Sequence, residues 1–223
     1  MMFRIRRSAG ARACFLCVWS FVAALLAANA AEAMPILSEV YYDAPGSDDG
    51  QVFIELAGPA GFALDGFRVE GVNGSGGGIG PSIDLSGTIG ADGLFVLADR
   101  RSDGTTSVAN ADQLANFDFQ NGPDSVVLRD DVAIADALGY GVFGAGDVFA
   151  GEGVAAPDGA AGESLARHFA DVDTDDNAAD WALRSTPTPG EAPFAVVPEP
   201  GSALLTGLGL VGLAVAGRKR DAC

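Results

Sequence analysis

The strongest constraint on this chain is a run of short segments with a repeat of two, each ended by glycine, proline, aspartate or asparagine. In Gln51-Val52-Phe53-Ile54-Glu55-Leu56, Val52, Ile54 and Leu56 share one face while Gln51 and Glu55 share the other. That alternation predicts a half-buried β-strand. Phe67-Arg68-Val69-Glu70 repeats the pattern, and further apolar runs cover Ile36 to Tyr42, Leu94 to Ala98, Ser125 to Leu128 and Val132 to Leu138. Between the ends of the chain no segment carries a long apolar stripe at helical spacing. Asp92-Gly93, Asp103-Gly104 and Asn121-Gly122 mark tight turns that need positive φ. Short strands and turn punctuation without helices predict an all-β sandwich. The six glycines from Gly71 to Gly80 read as a mobile loop, and Val142 to Gly162 as a long excursion between the last core strands.

The two ends have a different character. Arg4, Arg6, Arg7 and Arg12 precede a nearly unbroken apolar stretch from Ala13 to Ala28, and small residues follow. This is the pattern of a signal peptide over residues 1–33, with Ala31-Glu32-Ala33 as the favoured cleavage site and Ala28-Asn29-Ala30 as an earlier one. An uncleaved anchor is the alternative, and the apolar run is short for one. The Arg6-Arg7 pair fits a twin-arginine signal poorly, so general secretion is expected. At the other end Pro198-Glu199-Pro200 precedes an uncharged run over about 201–217, the expected transmembrane helix, and the cluster Arg218-Lys219-Arg220. Positive charge just behind an apolar helix orients it with that charge in the cytoplasm.

Removing both ends leaves Met34 to Val196, 163 residues, a length that suits one domain. The cysteines Cys14, Cys17 and Cys223 all lie outside it, so this domain folds without disulfides. It holds 27 acidic residues against six arginines and no lysine, a balance of −21. Such a field repels nucleic acid and attracts cations and basic surfaces. Prolines from Pro187 to Pro200 are expected to keep that segment extended and away from the sheet, with 191–197 as the linker to the tail.

Two resemblances follow from these residues. The arrangement of Pro198-Glu199-Pro200, apolar helix, Arg218-Lys219-Arg220 and terminal position resembles the PEP-CTERM sorting signal of Gram-negative bacteria. It implies transient insertion in the inner membrane, cleavage by an exosortase-type protease, and delivery to the cell surface or beyond it; an anchor that is never processed is the alternative. The second resemblance covers about Pro35 to Gly190. Leu37-Ser38-Glu39-Val40, Phe53-Ile54-Glu55-Leu56, Leu64-Asp65-Gly66-Phe67, Gly93-Leu94-Phe95-Val96-Leu97, Asn121 to Leu128, Ile134 to Tyr140, Glu163-Ser164-Leu165-Ala166-Arg167 and Asp180-Trp181 occur in the order found in lamin-tail domains. The departures are Phe67, where that family often has Trp, and Pro123, where it has Gly. The resemblance implies an immunoglobulin-like β-sandwich over 34–190, and a binding or structural role.

Chemistry is sparse in the central region. It offers one histidine and no cysteine, and Ser164 with His168 would place nucleophile and base on one short strand, poor geometry for a triad. Zinc lacks ligands, and the glycines of 71–80 lack the Lys-Ser/Thr ending of a phosphate-binding loop. Calcium is the one cofactor suggested, because Asp171, Asp173, Asp175 and Asp180 place carboxylates at the spacing that opens an EF-hand loop. The match then fails at Asp176, where glycine is needed, and at Ala182, where glutamate is. Asp43, Asp48 and Asp49 form a second acidic loop. The expectation is a non-enzymatic surface or matrix protein that binds exopolysaccharide or other surface proteins, with a carboxylate-based secreted hydrolase or a calcium-dependent adhesion module as alternatives.

Overall fold

The computed structural model describes residues 34–195; the candidate cleavage residues Ala31 and Ala33, the Pro198-Glu199-Pro200 element, the expected helix and Arg218, Lys219 and Arg220 lie outside that range. Ten strands follow in chain order: β1 Ile36–Tyr41, β2 Phe53–Ala57, β3 Arg68–Asn73, β4 Ile79–Asp84, β5 Leu94–Asp99, β6 Gln113–Ala115, β7 Asp124–Arg129, β8 Ile134–Tyr140, β9 Ser164–Arg167 and β10 Trp181–Arg184. One short helix, α1 (Asn177–Asp180), precedes β10, with Asp176 accepting from the Ala178 amide as its N-cap. Among the described residues no helix is long and apolar enough to cross a membrane.

The strands form two sheets, one of six in the order β10-β9-β1-β2-β5-β6 and one of four in the order β4-β3-β7-β8. The chain lays down two strands in one sheet and then two in the other, so the fold is a two-sheet, all-β sandwich. All pairs are antiparallel except β5 with β6. Inward-facing Val40, Ile54, Leu56, Val69, Leu97, Val126, Leu128, Leu138 and Leu165 are fully buried in one core. Each contributes roughly 1.5–3 kcal/mol by leaving water.

Three expectations change. The glycines of 71–80 are only partly a loop: Gly71 lies inside β3 and Gly80 inside β4, while Gly74, Gly76, Gly77 and Gly78 form the tight hairpin connection, in which the Asn73 amide donates to the Gly78 carbonyl. Glycine at 71 has a packing reason, since a Cβ there would lie 2.9 Å from the Phe119 ring. Next, β2 is buried on both faces, Glu55 as fully as Ile54. Its cover is the third difference: residues 187–195 turn back across the outer face of the large sheet instead of leaving it. Thr188 and Gly190 bond to Glu39 and Glu55, Ala192 packs on Ala57, Leu94 and Ala170, and the Ala195 amide donates to Asp171.

The outer edge of the small sheet is closed by a side chain. Asn177, fully buried, accepts from the Gly139 amide of β8 at 2.8 Å and donates to the Ala137 carbonyl at 2.8 Å, while also accepting from Glu152 at 2.9 Å. One amide group thus stands in for a missing neighbouring strand. On the opposite edge, β4 carries Pro81, which has no N–H to offer.

Candidate functional site

The registers place the ends of β1, β3, β5 and β8 and the starts of β2 and β7 at the same end of the sandwich. Tyr42, just beyond β1, stacks on Tyr140 at the end of β8 with centroids 4.4 Å apart, tying the two sheets there. The connecting loops enclose two adjoining hollows of about 680 and 520 Å³ that share Asp48 and Asp118. Asn73, Ser75, Gln120, Asn121, Asp124 and Asp147 line the first, with Ser47, Asp49, Asp99 and Asn116 on the second.

Two classes of carboxylate build this groove. Asp99 and Asp124 are buried and shape it: Asp99 accepts from the amides of Gly50 and Phe117, and Asp124 from that of Gly74. Asp118 and Asp147 are exposed, and partly exposed Asp48 accepts from the Ala44 amide. Burial raises the Asp118 pKa, and Asp48, Asp99 and Asp43 raise it further. Burial also raises Asp124, against the pull of the Gly74 amide. Arranged this way, the groove offers hydrogen-bond acceptors and negative potential to a polyhydroxylated or cationic ligand.

At the other end the carboxylates serve a cation supplied by the chain itself. Arg167 on β9 is 1 % exposed, and its Nη2 donates to both oxygens of Asp136 on β8, at 2.8 and 3.0 Å. Nη1 donates to Asp180 at 3.0 Å, Asp173 at 3.2 Å and the Val172 carbonyl at 3.1 Å, and Nε to the Leu37 carbonyl at 2.7 Å. The guanidinium also lies 4.9 Å from the centre of the Trp181 ring. Burial opposes its charge, but Asp136 and Asp173 hold its pKa above the ordinary value.

Of the four residues expected to hold calcium, Asp173 and Asp180 therefore meet, at Arg167. Asp180 also accepts from the amide and hydroxyl of Thr174; these bonds and Arg167 lower its pKa against the effect of burial. Asp171 instead accepts from Ala195, and Asp175 sits at φ 56° with its amide turned to Asp173. Another set does converge. Asp136, Glu152 and Asp173 each bring one carboxylate oxygen within 4.8 Å of the others. Burial, then Asp136 and Asp173, push Glu152 up to about 8.

Ser164 and His168 do not form a catalytic pair. The Ser164 hydroxyl is buried and donates to Glu39 at 2.5 Å, while His168 is exposed beyond the end of β9. In the sequence Arg167 and Asp136 stand out only as members of strand motifs. The available signal was an arginine in an apolar strand, four residues before an acidic run. No protein-family model, curated protein or solved structure matches the chain.

Replacing Arg167 by methionine leaves Asp136 buried without a counter-ion, and is expected to cost about 3–5 kcal/mol of unfolding free energy in urea titrations. Arg167→Lys should recover little, since one ammonium cannot serve Leu37, Asp136, Val172 and Asp180 together. A loss below about 1 kcal/mol for the methionine variant would remove the ion cluster from its structural role.

Proposed function

We propose that this chain is an exported binding and structural protein of the cell surface or extracellular matrix, not an enzyme, whose immunoglobulin-like sandwich resembles a lamin-tail domain. The observation that carries this reading is the open groove of exposed carboxylates and amides at the loop end of a rigid sandwich, while the buried acids are committed to holding the fold together. Loop ends of a scaffold are where binding residues collect. The terminal segments support the remainder: a signal peptide, then a PEP-CTERM tail read by an exosortase-type protease in the inner membrane. Exopolysaccharide is the proposed partner, and the negative field favours a neutral or amino-bearing polymer over an acidic one.

Mass spectrometry of the protein recovered from its native host tests the sorting half of the proposal. Termini near Met34 and near Pro198 are expected; an intact Cys223 would refute release. The binding half is tested on the full chain with a cationic amino-sugar oligomer and an anionic uronate polymer as probes. Only the first should bind, more weakly as salt rises, and D48N/D118N/D147N should weaken it about tenfold or more. Equal binding of both probes, or a triple variant that binds like the parent, counts against the groove.

Calcium-dependent adhesion is the second reading, favoured by the convergence of Asp136, Glu152 and Asp173. Calcium at about 1 mM should then raise Tm, and chelator reverse it, because an ion that binds only the folded chain stabilises it. A Tm that does not move removes this reading.

A further inference from the structure

Glu39 on β1 and Glu55 on β2 are direct cross-strand partners on the outer face of the large sheet, 1 % and 0 % exposed. The segment that buries them is also the one that bonds to them. Glu39 accepts from the Thr188 hydroxyl at 2.7 Å, the Thr188 amide at 3.0 Å and the Ser164 hydroxyl. Glu55 accepts from the Gly190 amide at 2.7 Å and the Ser38 hydroxyl at 2.7 Å. Gly190 presents that amide at φ 79°, a conformation glycine takes without strain. Every donor is neutral. None of the ion pairs among the described residues involves Glu39 or Glu55.

Two adjacent carboxylates without a counter-ion are costly to keep ionised under a dry cover. The groups around them deepen the problem. Asp92 stands in the turn before β5, Asp112 bonds to the amide of Val96, the partner of Glu55 on β5, and Glu191 follows Gly190. The nearest arginine by register is Arg167, one position from Ala166, the partner of Glu39, and its guanidinium is held by Asp136, Asp173 and Asp180; Arg184 on β10, opposite Ser164, pairs with neither glutamate.

We propose that residues 187–195 form a proton-latched strap, docked while the Glu55 carboxyl beside Glu39 holds a proton and released when Glu55 ionises. Lifting the strap lets water hydrate the Glu55 carboxylate, so its ionisation favours the open form. Burial, ahead of the opposing bonds from Ser38 and Gly190, pushes Glu55 from the ordinary 4.5 up to about 7. The docked form therefore binds the proton more tightly than the open one. Docking is strongest below the ordinary value and is lost as pH rises through about 7.

The consequence rests on the sorting proposal above. With the strap docked, only Val196 and Val197 separate Ala195 from Pro198; released, the chain from Pro187 supplies eleven residues before it. At about 3.3 Å per extended residue that adds reach of about 30 Å between body and sorting element.

Hydrogen exchange of the full chain in detergent, corrected for intrinsic rates, tests the latch. Between about pH 5.5 and about pH 8.5, exchange of the Thr188 and Gly190 amides should rise on the order of 30-fold while β2 and β5 stay protected. E55Q keeps the shape and removes the charge, so its strap should stay protected at both values. Equal protection of the parent strap at both pH values overturns the proposal. So does exchange of the strap only together with β2 and β5, or alkaline release in E55Q. None of these readouts depends on tail processing, so an intact Cys223 in the host would refute sorting and leave the latch standing.

Discussion

The fold depends on a charge placed where charge is most expensive. Arg167 sits between the two sheets at the end opposite the groove, and its partners come from β1, β8 and the segment before β10. An uncompensated guanidinium there would be strongly destabilising. Compensation requires all of these elements to be in register at once, because Leu37 contributes both its carbonyl to Arg167 and its amide to Asp136. A shift of β1 by one residue would break both bonds and turn its apolar face outward. The arginine thus links the pairing of the large sheet to the position of the small one, a specification that nonpolar contacts alone, being non-directional, do not supply.

Both sheets are also covered on their outer sides, which is unusual for antiparallel strands. Residues 187–195 cover the large sheet. On the small one, Ala150 packs over Val72, Val127 and Ala137, and the Phe149 ring lies against Gly139. This is why polar residues at outward positions of β1, β2 and β9 are buried and bonded instead of hydrated. Glu39, Glu55, Ser38 and Ser164 form one such layer.

Strand-forming physics is local, and it was legible. Alternation and glycine turns placed β1, β2, β3, β5, β7 and β8, because β-branched and aromatic residues carry that signal wherever one face is buried. β4 carried little of it: Ile79-Gly80-Pro81-Ser82-Ile83-Asp84 is poor in strand formers and owes its place to pairing with β3. β6, three residues long, is held by its parallel pairing to β5. The site was less legible because its chemistry depends on what lies opposite. Asp171, Asp173, Asp175 and Asp180 have the spacing of cation ligands, yet spacing does not reveal that Arg167 folds back over two of them. Asn177 carries no sign of its role in the sequence; only the fold shows that the edge it faces is β8. The groove is harder still, since Asp48, Ser75, Asp118 and Asp147 come from four separate loops.

Wherever copies of a sheet protein crowd together, exposed backbone edges invite fusion into fibres. Asn177 meets that hazard on β8 by occupying the donor and acceptor that a neighbouring molecule would otherwise seize, and Pro81 denies the same foothold on β4. The small sheet can therefore be displayed at high density without zipping to its neighbours.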